Sequence, residues 1–191
     1  MKIGLFFGSF NPVHTGHMII ANHMATRTDL EQVWLVVSPH NPLKPKKSLA
    51  NDYDRLHLVE LAIAGNPELR SSNIEFSLPQ PSYTVDTLAY LIDKYPEHEF
   101  ALIMGGDNLV SLHKWKNYEV LLENYPVYVY SRPGNDIPQW IDKEKIHFAD
   151  APMMHISASY IRKSIRDGFS VRYLVPEPVF HYLENSALYK G

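Results

Sequence analysis

The sequence predicts an α/β fold, a doubly wound parallel sheet with helices on both faces. Three observations predict it. Apolar runs of strand length alternate with runs at helical spacing along the chain. The first apolar run passes straight into a glycine turn that opens a helix. The chemistry-bearing residues cluster after the strand runs, at Gly8–His17, Ser38–Lys47, Gly105–Asn108 and Ser131–Gly134, where sheets of this kind bind ligands.

Residues 2–7 (Ile3, Leu5, Phe6, Phe7) and 32–38 (Val33, Leu35, Val36, Val37) read as buried strands. Between them Met18, Ala21 and Ala25 recur at helical spacing. Pro39, Pro42 and Pro45 force a loop. Asn51 or Asp52 caps a helix with Leu56, Val59 and Ile63 on one face. Ile74 and Phe76 alternate as a third strand. After Pro79 and Pro81, the residues Val85, Leu88, Ile92 and Tyr95 have helical spacing. Phe100–Met104 and Pro126–Tyr130 are further strands, and residues 144–148 form a sixth, weaker one. Ser157 caps a helix that ends before Gly168, with Ile161 and Ile165 inward. Pro176 or Pro178 starts the last helix, with Val179, Tyr182 and Leu183 inward.

The chain has 191 residues, 45% hydrophobic and 20% charged, as expected of one globular domain with a sizeable core. No internal domain boundary, repeat or low-complexity tract is visible. The formal net charge of −3 supplies no global basic field for nucleic acid, so any phosphate site must be built locally. The absence of cysteine excludes disulfides, thiolate metal sites and cysteine nucleophiles. The N-terminus lacks a signal-peptide shape and no apolar segment approaches spanning length. A soluble cytoplasmic protein is expected, with no membrane partner; a homo-oligomer is compatible with the sequence.

The most informative stretch is Gly8-Ser9-Phe10-Asn11-Pro12-Val13-His14-Thr15-Gly16-His17. A strand, a glycine turn and a helix start carrying two imidazoles make an anion site, because helix-start N–H groups and the helix dipole favour negative charge. His14 and His17 are three apart and share a face. Gly16 leaves room for a phosphate to approach. No Gly-Lys-Ser/Thr follows and the spacing is not G-x-G-x-x-G, so neither common phosphate loop is present. The competing readings are a histidine-rich helix cap and half a zinc site, the latter poor without cysteine or a nearby acidic partner.

A second cluster, Ile156-Ser157-Ala158-Ser159-Tyr160-Ile161-Arg162, puts serine hydroxyls at a helix start and a guanidinium one turn on. Taken alone it is an ordinary capped helix with a surface arginine. Pro81-Ser82-Tyr83-Thr84-Val85-Asp86-Thr87 opens a helix, where Tyr83 and Thr84 either bind a carboxylate or cap it. Asp107, after Gly105-Gly106, either accepts from ribose hydroxyls or shapes a turn. Trp115 either stacks on a flat ring or belongs to the core. Arg132, at a strand end, reaches either a nucleotide or solvent.

The first cluster resembles the H-x-G-H signature of the adenylyl- and cytidylyltransferase superfamily, in its wider form Gly-Thr-Phe-Asp-Pro-x-His-x-Gly-His. Ser9 and Asn11 stand where Thr and Asp are commoner. The second cluster resembles the Ile-Ser-Ser/Thr-x-x-x-Arg motif of the same superfamily, with Ala158 in place of a small hydroxyl residue. Ser82-Tyr83-Thr84, Gly105-Gly106-Asp107-Asn108 and Trp115 narrow the resemblance to the bacterial nicotinate mononucleotide adenylyltransferase family, in register from about residue 2 to 189. One departure is Lys116, where many relatives carry an aromatic residue.

The resemblance implies a Rossmann-like sheet of the nucleotidyltransferase α/β phosphodiesterase type, one domain over residues 1–191, whose helical part at about 157–189 completes the nucleotide site. It implies ATP and nicotinate mononucleotide as substrates, Mg²⁺ entering with ATP, and no dedicated protein metal site. His14, His17, Lys44 and Arg162 would carry catalysis. Gly8, Ser9, Phe10, His14, Gly16, His17, Arg132, Ile156, Ser157, Ser159 and Arg162 would bind ATP. Asn11, Lys44, Tyr83, Thr84, Asp107 and Trp115 would bind the acceptor. The rivals are the same transfer to nicotinamide mononucleotide or phosphopantetheine, a non-catalytic nucleotide sensor, and a fragment of a class I aminoacyl-tRNA synthetase. The last is disfavoured by the lack of a basic face.

Overall fold

The computed structural model describes residues 1–39, 49–130, 141 and 143–191. Among these, six strands form one sheet: β1 (Lys2–Gly8), β2 (Gln32–Val37), β3 (Leu69–Ser72), β4 (Glu99–Gly105), β5 (Val127–Tyr130) and β6 (Ile146–Ala149). Their order is β3-β2-β1-β4-β5-β6, and every neighbouring pair is parallel. The helices are α1 (Thr15–Arg27), α2 (Asp52–Ile63), α3 (Thr84–Lys94), α4 (Gly106–Ser111), α5 (Tyr118–Asn124), α6 (Ala158–Arg166) and α7 (Glu177–Asn185).

Side chains alternate across a strand, and the alternation sorts the core into two layers. Phe6, Leu35, Val37, Ala101 and Ile103 face a cluster completed by Ile20, Ala21 and Met24 of α1, Leu58 and Val59 of α2, Ile161 of α6, and Val179, Phe180 and Leu183 of α7. Ile3, Leu5, Trp34, Val36, Leu102, Met104 and Val129 face the opposite layer, with Leu88 and Leu91 of α3, Leu109 of α4 and Leu121 of α5. The sheet is therefore covered on both faces, and its central strands read as near-continuous apolar runs.

The chain leaves β1 through α1 toward β2 on one side, and returns from β3 to β4 on the other. The strand order reverses at β1, so the carboxyl ends of β1 and β4 border a crevice. The residues Gly8–His17 and Gly105–Asn108 lie there.

Several sequence expectations need correction. Ile74 and Phe76 do not form a strand. They lie in a single 3₁₀ turn at Ile74–Ser77, and the third strand is Leu69–Ser72. This strand lies at the sheet edge with one apolar residue, so it carries almost no hydrophobic signal. On α3 the inward side chains are Thr87, Leu88 and Leu91, whereas Ile92 is exposed. The sequence reading also gives no helix at α4 or α5, and β6 begins at Ile146 after a 3₁₀ turn at Lys143–Lys145; the other elements match the patterning. Asn51 caps α2 by accepting from the Tyr53 N–H at 2.9 Å, and Ser157 caps α6 by accepting from the Tyr160 N–H at 3.2 Å.

The loops at the crevice are tied by a buried charge. Arg55 of α2 is 0% exposed. Its guanidinium donates to the carbonyls of Ser9 (2.5 Å), Ser38 (2.9 Å) and Ala50 (3.1 Å), and to the Asp52 carboxylate at 2.6 Å. Five fixed donors suit a cluster of strand-end carbonyls that no ladder satisfies. At the opposite edge of β1, Asp29 accepts from the Lys2 ammonium at 2.6 Å and from the Tyr128 hydroxyl.

Two outcomes are expected. Arg55→Met leaves these carbonyls and the Asp52 charge without their partner, and Arg55→Lys cannot reproduce the fork. Each lowers unfolding free energy by about 3–5 kcal/mol, read by urea denaturation. The bonds from Lys2 and then Tyr128 hold the Asp29 carboxyl down at about 2, against an ordinary 3.8. Its stabilisation is therefore complete above that ordinary value and is lost as pH falls through about 2. Thermal unfolding between pH 5 and pH 2 should show a shallower slope in Asp29→Asn than in the parent.

Candidate functional site

Two clefts adjoin at the carboxyl ends of β1 and β4, and Phe7, Gly8, Ser9 and Asn108 form the wall between them. The larger, about 510 Å³, is lined by Phe10, Asn11, His14, Gly16, His17, Asp107, Ile156, Ser157, Ser159 and Arg162. The smaller, about 330 Å³, is lined by Ser38, Glu75, Ser82, Tyr83, Thr84, Lys114, Trp115 and Lys116. The two sequence clusters around His14 and Ser157 thus face one cavity. Arg162 closes the distance between them: it donates to the Asn11 carbonyl at 2.7 Å and to the Ser159 hydroxyl at 3.3 Å.

His14 is the N-cap of α1 and is buried. Its ring stacks on that of His17 with centroids 3.6 Å apart. His17 Nδ1 accepts from the His14 backbone N–H at 3.2 Å. That bond leaves Nδ1 unprotonated and assigns the His17 proton to Nε2. His17 is thereby a neutral N–H donor, which also avoids stacking two like charges at contact. Phe10 wedges beneath it, edge-on at 5.1 Å, with its backbone held at a positive φ of 42°.

The turn is used differently from the sequence expectation in two places. A methyl group at Gly16 would come within 3.1 Å of His14 Nδ1, so this glycine makes room for the imidazole itself. The helix-start amides are partly committed: the Thr15 N–H donates to the Leu174 carbonyl and the His17 N–H to the His14 carbonyl, both at 2.9 Å. Those two amides are therefore already bonded within the protein.

Asn11 is 2% exposed, and its Oδ1 accepts from the Ala50 N–H at 3.1 Å and the Tyr189 hydroxyl at 2.7 Å. Burial pushes the Tyr189 hydroxyl well above the ordinary phenol range, so it stays a donor. Asn11 is thus a junction of the turn, α2, α6 and the C-terminal segment. Asp107 lies in the first turn of α4, in the wall of the larger cleft. Among the described residues lining that cleft, Arg162 is the one permanent cation. Lys44 and Arg132 lie outside the described residues. Among the described residues no three His, Asp or Glu side chains gather as a metal cage, and no helix is long and apolar enough to cross a membrane.

The smaller cleft brings Trp115 and Tyr83 together. Trp115 follows a 3₁₀ turn at Leu112–Lys114. It is partly buried against the core and also lines the cavity. Tyr83 is the N-cap of α3 and Thr84 its first residue, which aims the positive end of that helix at the cavity. Sequence reasoning missed Glu75, 3% exposed, which accepts from the Thr87 hydroxyl at 2.8 Å. Burial pushes its carboxyl up, while the Ser38, Thr87 and Ser82 hydroxyls pull it down. A glutamate between Ile74 and Phe76 was the available signal. It also missed Arg55, whereas Asn108, part of the Gly105–Asn108 cluster, faces both clefts.

Residues 5–164 match the cytidylyltransferase-like family model. Over the full length of both chains, the protein is 56% identical to a probable nicotinate-nucleotide adenylyltransferase of Flavobacterium psychrophilum. It is 42% identical to one from Bacteroides fragilis, over 94% of this chain and 89% of that one. Among solved structures, Plasmodium falciparum nicotinic acid mononucleotide adenylyltransferase complexed with NaAD superposes with a TM-score of 0.81. That likeness is at 18% identity, over 98% of this chain and 97% of that one, and it concerns the fold. With its two signature clusters on one cleft and full-length relatives well above 30% identity, the chain belongs to the nicotinate-nucleotide adenylyltransferase family of cytidylyltransferase-like proteins.

Proposed function

We infer that the protein transfers the AMP moiety of ATP to nicotinate mononucleotide, releasing pyrophosphate and forming deamido-NAD. The observation that carries this reading is the bond from Arg162 to the Asn11 carbonyl. It joins two clusters 151 positions apart into one phosphate cleft, beside a cavity walled by Trp115, Tyr83 and Thr84. The relatives' names support the acceptor.

An oxygen of the mononucleotide phosphate attacks the α-phosphorus in line. A new P–O bond forms as the α-phosphorus to bridging-oxygen bond breaks, and the electron pair leaves with pyrophosphate. The attacking oxygen is already anionic, so the site needs no general base. Catalysis is then positioning and charge stabilisation. His17 donates from Nε2 to the α-phosphate, where charge shifts in the transition state. His14 supports the outer phosphates. Arg162, with Ser159 and Ser157, neutralises and orients the chain of phosphates, and Lys44 and Arg132 are further cations in this reading. Gly8, Ser9, Phe10, Gly16 and Ile156 shape the wall. Trp115 stacks on the pyridine ring, Tyr83 and Thr84 meet its carboxylate at the positive end of α3, and Asn11 and Asp107 border the acceptor's phosphate and ribose.

Mg²⁺ enters with ATP in this proposal. Among the described residues lining the larger cleft, Asp107 is the carboxylate and would help hold the ion. The ion's contribution is charge neutralisation.

His17→Ala is expected to lower kcat by about 10²–10³ while changing ATP binding by isothermal titration much less. Near-normal turnover would contradict its role. The acceptor is tested by pyrophosphate release with ATP and each mononucleotide. The nicotinate form should win in kcat/KM. A preference for the amide form by more than about tenfold, or about 1.4 kcal/mol, overturns the assignment. ATP binding with no release from either acceptor would identify a sensor instead.

A further inference from the structure

The mouth of the acceptor cavity carries a charge arrangement that the adenylyl-transfer chemistry does not require. Asp86 occupies the first turn of α3, three residues after the N-cap Tyr83. A carboxylate there takes up the positive helix end for itself. It would also repel an anionic ring substituent arriving at Tyr83 and Thr84. Lys116 lies opposite. Its ammonium is 2.8 and 3.1 Å from the two Asp86 carboxylate oxygens and 4.8 Å from the centre of the Tyr83 ring. It also lines the cavity beside Trp115. The ammonium has three N–H donors, and Asp86 occupies no more than two of them.

We propose that Lys116, latched to Asp86 over Tyr83, is a specificity-determining residue that admits an anionic pyridine acceptor and gives no advantage to a neutral one. The proposal rests on the nicotinate reading above. Lys116 cancels the Asp86 charge at the helix end and offers a further donor to an incoming carboxylate. A neutral carboxamide gains little from either effect. Among the described residues, the other charged groups facing this cavity are Lys114, which adds to the positive side, and Glu75, buried in the wall. Both members of the pair are about half exposed, 43% and 53% at the side chain. The effect is therefore screened by salt.

The test measures kcat/KM with ATP for nicotinate and nicotinamide mononucleotide in five proteins: the parent, K116M, K116R, D86N and K116M/D86N. K116M should lose about tenfold with the nicotinate form, through KM, and less than about threefold with the amide form. K116R should retain the parent's ratio. The double variant should regain part of the loss, because the unmasked Asp86 is gone. Raising salt should shrink the parent's ratio toward that of K116M. An unchanged ratio in K116M, or equal losses with both acceptors, overturns the proposal while leaving the nicotinate reading intact. A parent that adenylylates neither acceptor, or prefers the amide form, overturns that reading and this proposal with it.

Discussion

The structure depends on how the turn after β1 is held. Parallel strands end in carbonyls that the ladder no longer satisfies, and here those ends also form the wall between two clefts. Two guanidinium groups resolve the conflict from opposite sides. Arg55, wholly buried, gathers the carbonyls of Ser9 and Ser38, at the ends of β1 and β2. Arg162 takes the Asn11 carbonyl. The Asn11 side chain then ties the turn to Ala50 and Tyr189. A charge buried in this way is tolerable because its donors meet oxygen acceptors and its counter-ion Asp52 is in contact. The turn is over-determined, which lets Phe10 keep a left-handed backbone in the middle of it.

That rigidity has a consequence for the chemistry. In the transfer proposed above, which needs no base or covalent nucleophile, rate enhancement comes from donors fixed before the reaction begins. The His14 backbone fixes the His17 proton on Nε2, and the Phe10 edge fixes the ring plane. The imidazole pair is thus set by main chain and core packing. With a net charge of −3, attraction for phosphate comes from donors placed locally at this cleft rather than from an overall basic field.

What the sequence disclosed follows what each residue must satisfy. β1, β2, β4 and β5 were legible because strands covered on both faces read as apolar runs. The glycine–histidine turn was legible because several special residue types coincide at fixed spacing. β3 was not, because an edge strand of sequence Leu-Arg-Ser-Ser buries too little to leave a pattern. Arg55 and Glu75 were not, because a charged residue on an amphipathic stretch looks the same whether it meets solvent or a cluster of buried partners. Only tertiary contact separates the two. The same ambiguity hid the second use of Gly16. Its lack of a side chain was readable, but that the space belongs to His14 was not.

The two clefts differ in how strictly their contents are prescribed. The phosphate side is bound into the fold: Arg162 and His17 bond to the main chain of the turn, and the Asn11 side chain ties it to Ala50 and Tyr189, so changing one disturbs the others. The acceptor side is built from side chains on α3 and the segment after α4, and its charged pair, Lys116 and Asp86, touches neither the turn nor the core. Substituting that pair leaves the phosphate cradle standing. A fold organised in this way keeps the transfer reaction constant while the acceptor's charge is selected by surface groups. It follows that acceptor specificity can vary through exposed residues that cost the fold little, whereas the phosphate-binding turn cannot vary without loss of stability.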